Sequence, residues 1–163
     1  MARKYSSSME DYLEAIALLG EEGKAVRVSH IGQRLKVRMP SVTAALKKLS
    51  QEGLVEHKRY GYVELTAEGG RIARDVLYRH RTLSRFLAEA LDVDATTAEE
   101  DACRIEHVIS PLSLERVIKF IEFIGACPRG EFNFPERYSY YLEHGKLPRE
   151  CHGMGKNKKR GRG

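Results

Sequence analysis

Apolar residues recur at helical spacing near the start of the chain, where Met9, Tyr12, Leu13, Ile16 and Leu19 fall on one stripe. The pattern predicts a helix over 8–20, with Ser8 as N-cap, acids in its first turn and Gly20 at its end. A shorter stripe predicts a second helix from Ser29 to Leu35 with Ile31 and Leu35 inward. Pro40 suits the first position of a third helix over 40–52, whose apolar face is Val42, Ala45, Leu46 and Leu49 and which Gly53 stops. From Leu54 to Leu65 the period changes to alternation, broken at Lys58-Arg59-Tyr60-Gly61, which predicts a β-hairpin with a basic tip. Two short helices joined by a tight turn, then a basic hairpin, make a winged helix-turn-helix pattern.

Thr66 then caps a long helix running to about Leu91, with Ile72, Val76, Leu83, Phe86 and Leu87 near helical spacing. Asp92-Val93-Asp94 is a turn, residues 96–109 read as an acidic helix, and Ser110-Pro111 breaks it. A helix over 112–124 carries Leu114, Val117, Ile118, Ile121 and Ile124, a stripe wide enough for a partner subunit as well as a core. The predicted fold is mainly α: a winged-helix domain (1–66), a helical domain (67–126), an aromatic-rich docked segment (127–151, one helix at 135–144) and a disordered basic tail (152–163).

Composition narrows the function. The 163 residues are 42% hydrophobic and 31% charged, as in a soluble globular protein. No apolar run reaches the roughly 18–20 residues of a membrane span. The N-terminus lacks a signal-peptide core, and three widely spaced cysteines argue against a disulfide framework, so a reducing cytoplasm is expected. The net charge of +5 matches the five Lys/Arg of the tail, yet the remainder is unevenly charged. Residues 27–62 carry eight Lys/Arg against two acids, whereas residues 88–107 carry seven acids against Arg104. A basic first half suits a polyanion and an acidic middle suits cations.

Two stretches carry candidate chemistry. The outer face of the third helix offers Ser41, Thr43, Lys47 and Lys48 to base edges and phosphates, with Pro40 and Ala44 for thymine methyls. Lys58, Arg59 and Tyr60 at the hairpin tip would touch phosphate; a solvated charged face is the plainer reading of each lysine. In the acidic helix, Cys103 stands three and four residues before Glu106 and His107, so all three share a helical face. These side-chain types bind first-row transition metals. A buried cysteine beside a solvated Glu-His pair is the plainer reading of these residues taken alone.

Several stretches together resemble the diphtheria-toxin-repressor family of metal-dependent transcriptional regulators. They are Met9-Glu10-Asp11-Tyr12-Leu13-Glu14, Pro40-Ser41-Val42-Thr43, Glu52-Gly53-Leu54-Val55, Leu65-Thr66, Tyr78-Arg79-His80-Arg81 and Asp101-Ala102-Cys103 with Glu106-His107-Val108-Ile109-Ser110, in the family's order over residues 5–125. The resemblance implies that the second domain binds metal and dimerises. It implies a ligand set of Asp11, His80, Cys103, Glu106 and His107, with Glu14 as the extra acid of manganese-type members. Glu99, one turn before Cys103, is a candidate for a second site, and Ser84 stands where iron-type members have an ancillary acid. The chain is a hybrid, because Asp11 is manganese-type and Cys103 iron-type.

The function implied is a DNA-binding repressor of metal-uptake genes. Fe²⁺ or Mn²⁺ would act as corepressor, clamping a homodimer on a palindromic double-stranded operator. The thiol tilts the choice toward Fe²⁺, and Zn²⁺, Co²⁺ and Ni²⁺ are expected to bind in vitro. No membrane and no small organic substrate is expected. Two other readings stand beside it: a metal-independent winged-helix redox sensor using Cys103, and a small metal-dependent hydrolase. The second lacks a His-Glu-x-x-His, a nucleophile elbow or a phosphate-binding glycine loop.

Overall fold

Three serines precede the first apolar stripe, and the one that caps it is Ser6. Its Oγ accepts from the Met9 N–H at 3.4 Å, so α1 spans Ser7–Glu21 and Ser8 lies inside it. Met9, Tyr12, Leu13 and Ile16 are buried, as their spacing predicts. The structure is a computed structural model that describes residues 5–21, 25–58, 61–126 and 134–146. Arg59, Tyr60, Cys127, Cys151, His152 and the basic tail lie outside the described residues.

Helices α2 (Val28–Leu35) and α3 (Met39–Gln51) are joined by a tight turn in which Lys36 adopts the left-handed conformation. Pro40 occupies the first turn of α3, where its missing N–H leaves no bond unmade. Ile31, Val42, Leu46 and Leu49 close the core between these helices and α1. Gly53, at φ 69°, turns the chain out of α3. It leads into β1 (Val55–His57), which pairs antiparallel with β2 (Val63–Leu65), Val55 opposite Leu65 and His57 opposite Val63. Arg27 extends this ladder as a bridge to Tyr62, and its guanidinium donates to the Tyr62 hydroxyl at 3.0 Å while lying over the ring. The hairpin is thus rooted to the segment before α2, a link that periodicity does not reveal.

Thr66 caps α4 (Ala67–Arg85): its Oγ1 accepts from Gly69 N–H at 3.1 Å and donates to the Gly53 carbonyl at 2.8 Å. One hydroxyl therefore ties the end of α3 to the start of α4. Ile72, Ala73 and Val76 join the core with Leu54, Val55 and Val63. Residues up to Arg81, together with Glu106–Val108, form one compact unit.

The second unit comprises Thr82–Ile105 and the chain from Ile109 onward. After Arg85 the helical path widens into a π-turn at Phe86–Ala90, and Asp92, at φ 56°, ends the run predicted to reach Leu91. Asp94 Oδ1 accepts from Thr97 N–H and opens α5 (Ala95–Ile105), with Ala98 and Ala102 buried. The acidic helix was expected to continue to 109. It stops at Ile105, and Glu106-His107-Val108 form a turn closed by Ile109 N–H to the Ile105 carbonyl at 2.9 Å. The cause is polar: Glu106 is fully buried and the His107 side chain is 8% exposed, both with partners in the first unit. Side chains held that way do not remain on the face of a solvated helix.

Ser110 caps α6 (Pro111–Ala126), its Oγ accepting from Ser113 N–H at 3.1 Å. The predicted stripe of Leu114, Val117, Ile118, Ile121 and Ile124 is only half-buried, and Leu112 and Phe123 are exposed. In α7 (Phe134–His144), Phe134 stacks on Tyr138 and meets Phe120 edge-on, and Phe120 meets Phe86 in the same way.

Candidate functional site

Helix α1 presents acids on the turn after its apolar stripe begins. Asp11 and Glu14, three residues apart, share one face, and both are half-buried rather than solvated. From α4, His80 brings Nδ1 to 2.7 Å from Glu106 Oε2. From the turn after α5, His107 brings Nε2 to 2.7 Å from Asp11 Oδ1 and 3.2 Å from Glu106 Oε1. Two overlapping groups result. One ligand atom each from Asp11, Glu106 and His107 lies within 4.8 Å of the others, and the same holds for Glu14, His80 and Glu106. Glu106 is common to both groups and is completely shielded from solvent.

The electrostatics of this cluster fit a cation. Burial raises the Asp11 carboxyl above its ordinary range, against the pull of His107. Burial also raises Glu14, and the charge of Glu106 raises it further. His107 Nε2 is buried and faces the carboxylate oxygens of Asp11 and Glu106. A buried imidazole nitrogen facing two carboxylates is a donor arrangement that a divalent cation would fit. Three carboxylates and two imidazoles are a donor set suited to Mn²⁺ or Fe²⁺.

The two other expected residues, Cys103 and Glu99, lie on α5. Cys103 is exposed on the last turn of α5 in the second unit, so it is not the buried structural cysteine of the plainer reading. Glu99 accepts a hydrogen bond from Ser84 Oγ at 2.8 Å and belongs to neither group.

Sequence reasoning also passed over two residues. Glu10 is buried, and its Oε2 accepts from Arg79 Nη2 at 2.8 Å and from His107 Nδ1 at 2.9 Å. Glu10 and Arg79 both sit inside the stretches that carry the family resemblance, next to Asp11 and His80, and that adjacency was the available signal.

The basic face lies on α3, where Pro40, Ser41, Thr43, Ala44, Lys47 and Lys48 are all exposed. Thr43 donates its hydroxyl back to the Met39 carbonyl at 3.1 Å, which leaves its methyl group and lone pairs for an outside partner. On the hairpin, Lys58 is paired with Glu56 at 2.7 Å and lies 3.6 Å from Glu64. Such exposed pairs are weak, so a phosphate can compete for the lysine.

Comparison with known proteins agrees with this division. The family model described as iron dependent repressor, N-terminal DNA binding domain, matches residues 4–63, and that described as iron dependent repressor, metal binding and dimerisation domain, matches residues 66–134. An uncharacterised HTH-type transcriptional regulator of Methanocaldococcus jannaschii is 37% identical over 118 residues, 72% of this chain and 94% of the relative. The HTH-type transcriptional regulator MntR of Shouchella clausii is 38% identical over 116 residues, 71% of this chain and 80% of the relative. Among solved structures, the manganese regulator SloR is 32% identical with a TM-score of 0.65, covering 75% of this chain, which spans 57% of the SloR chain. Two domain matches in the right order, and relatives matched over most of their length, place the function with the fold: the chain belongs to the iron-dependent, diphtheria-toxin-repressor family of metal-dependent transcriptional regulators.

Proposed function

We propose that this regulator is a cytoplasmic repressor of metal-uptake genes, with Fe²⁺ or Mn²⁺ as corepressor at a centre built from Asp11, Glu14, His80, Glu106 and His107. The observation that carries this is the buried His107 Nε2 facing Asp11 and Glu106. A bound divalent cation supplies the positive charge that this crowd of carboxylates lacks. Asp11 and Glu14 ride on the helix that backs the helix-turn-helix, so their engagement fixes the helix against which α3 packs. In a homodimer that fixing sets the separation of two recognition helices, which must match half-sites of a palindromic operator roughly 34 Å apart. Ligand binding then shifts the population toward the DNA-competent state.

Cys103, three residues before Glu106, is proposed as a soft donor, with Glu99 as an acid of a second site. The thiol argues for Fe²⁺, and similarity to a protein named as a manganese regulator argues for Mn²⁺. Mobility shifts of the protein's own upstream DNA across free Fe²⁺, free Mn²⁺ and chelator test the reading. Binding that needs the metal and is reversed by chelation is expected, with Fe²⁺ acting at the lower concentration. Activation by Mn²⁺ at lower free concentration than Fe²⁺ would reverse the metal preference. Binding that survives chelation but is lost on mild oxidation would favour the redox-sensor reading of Cys103.

The α3 face and the hairpin tip, Arg59 and Tyr60 included, are proposed to contact the operator. Lys48→Ala is expected to weaken binding to all sequences alike and to lower the slope of log affinity against log salt by about one unit. An unchanged slope in a salt titration would mark Lys48 as merely solvated.

A further inference from the structure

Glu10 and Glu106 are the buried acids among the described residues, and the centre as proposed uses only the second. The Glu10 side chain is 7% exposed and that of Arg79 17%, so their ion pair is shielded and water does not average its geometry. A single oxygen, Oε2, takes both Arg79 Nη2 at 2.8 Å and His107 Nδ1 at 2.9 Å. When one ring nitrogen of a histidine ligates, the other carries the hydrogen, and Nδ1, against an ionised carboxylate that only accepts, is the one placed to carry it. On the other edge of the same ring, Nε2 faces Asp11 and Glu106.

We propose that Glu10, anchored by Arg79, is a positioning residue for the metal centre: it holds the His107 ring with Nδ1 protonated, so that the Nε2 lone pair is presented toward Asp11 and Glu106. Arg79 offsets the charge of Glu10, so the carboxylate orients the imidazole without adding net negative charge beside Asp11. An outer carboxylate on a ligating histidine fixes ring orientation and tautomer and raises the basicity of the ligand. The inference rests on His107 being a ligand. The structural alternative is that the Glu10–Arg79 pair merely ties α1 to α4.

The test is Mn²⁺ affinity of the full-length protein, with Co²⁺ as a spectroscopic probe. Glu10→Ala is expected to weaken Mn²⁺ binding roughly ten- to hundredfold. Glu10→Gln, whose amide oxygen accepts the same hydrogen bond, should stay close to wild type. The Co²⁺-loaded wild type and Glu10→Gln should show a paramagnetically shifted exchangeable proton from His107 Nδ1–H, and Glu10→Ala should lose it. Loss of Glu10 alone strands a buried arginine, so Glu10→Ala/Arg79→Met is included. It should bind Mn²⁺ as weakly as Glu10→Ala. Wild-type affinity in Glu10→Ala, or its return in the double variant, would overturn the proposal. His107→Ala separates the two levels. If it binds Mn²⁺ like wild type, the ligand assignment itself fails. If it loses Mn²⁺ while Glu10→Ala keeps it, only the positioning role fails.

Discussion

Replacing His107 with alanine is expected to abolish metal-dependent operator binding, and Asp11→Ala to do the same, with the chain still folded and dimeric. His107 Nε2 is buried against carboxylate oxygens, with Asp11 Oδ1 at 2.7 Å. On the proposed assignment, removing either deletes a direct ligand, so the loss of affinity should exceed the roughly ten- to hundredfold expected for an outer partner. Neither residue belongs to the apolar core, which runs from Met9 through Leu54 to Val76. Circular dichroism and sedimentation of the metal-free variants should therefore match wild type. Mobility shifts in Fe²⁺ and Mn²⁺ supply the decisive comparison, and an unchanged metal response in both variants would sink the proposed centre.

The largest effect on stability is expected at Gly69. A Cβ there would collide with the Leu54 carbonyl oxygen and lie 2.9 Å from its carbon, backbone that cannot swing aside. This close approach lets Thr66 bridge Gly53 and the first turn of α4. Gly69→Ala should cost at least the upper end of the roughly 1–3 kcal/mol of overpacking. At about 4–8 °C per kcal/mol for a unit of roughly 60–100 residues, the Tm of the first unit falls by more than about 10 °C. Gly70→Ala is the matched control, because its Cβ would meet only the tip of Arg74 at 3.3 Å. In a helix that exchange gains roughly 0.5–1 kcal/mol. Thermal melts that shift the two variants equally would show that the Leu54 contact is not what demands glycine at 69.

Much of the first unit was legible because its elements are amphipathic and punctuated. The stripe Met9-Tyr12-Leu13-Ile16, the stop at Gly53 and the cap at Thr66 each express a local rule, and each is found in the fold. Where several residues satisfy one rule, the sequence does not choose among them, which is why Ser6 and not Ser8 caps α1. The site was legible only in part for a different reason. Cys103, Glu106 and His107 advertise themselves by spacing, but that spacing assumed a helix that ends at Ile105. Glu10 gave no periodic signal at all. Its partners lie 69 and 97 positions away along the chain, and an acid beside an acid in a first helical turn looks like compensation of the helix dipole until those partners are brought to it.

The half-buried stripe of α6 has a consequence for how much of this protein a cell must hold. No described residue of that helix is fully covered within one chain, and the matching domain is one that dimerises. Were copies to pair along Leu114, Val117, Ile118 and Ile121, their burial would be completed by mass action, and part of the folding free energy would scale with the logarithm of protomer concentration. Abundance would then be a second input to the switch beside the metal, a sparse regulator being a less stable one before any ion is withdrawn.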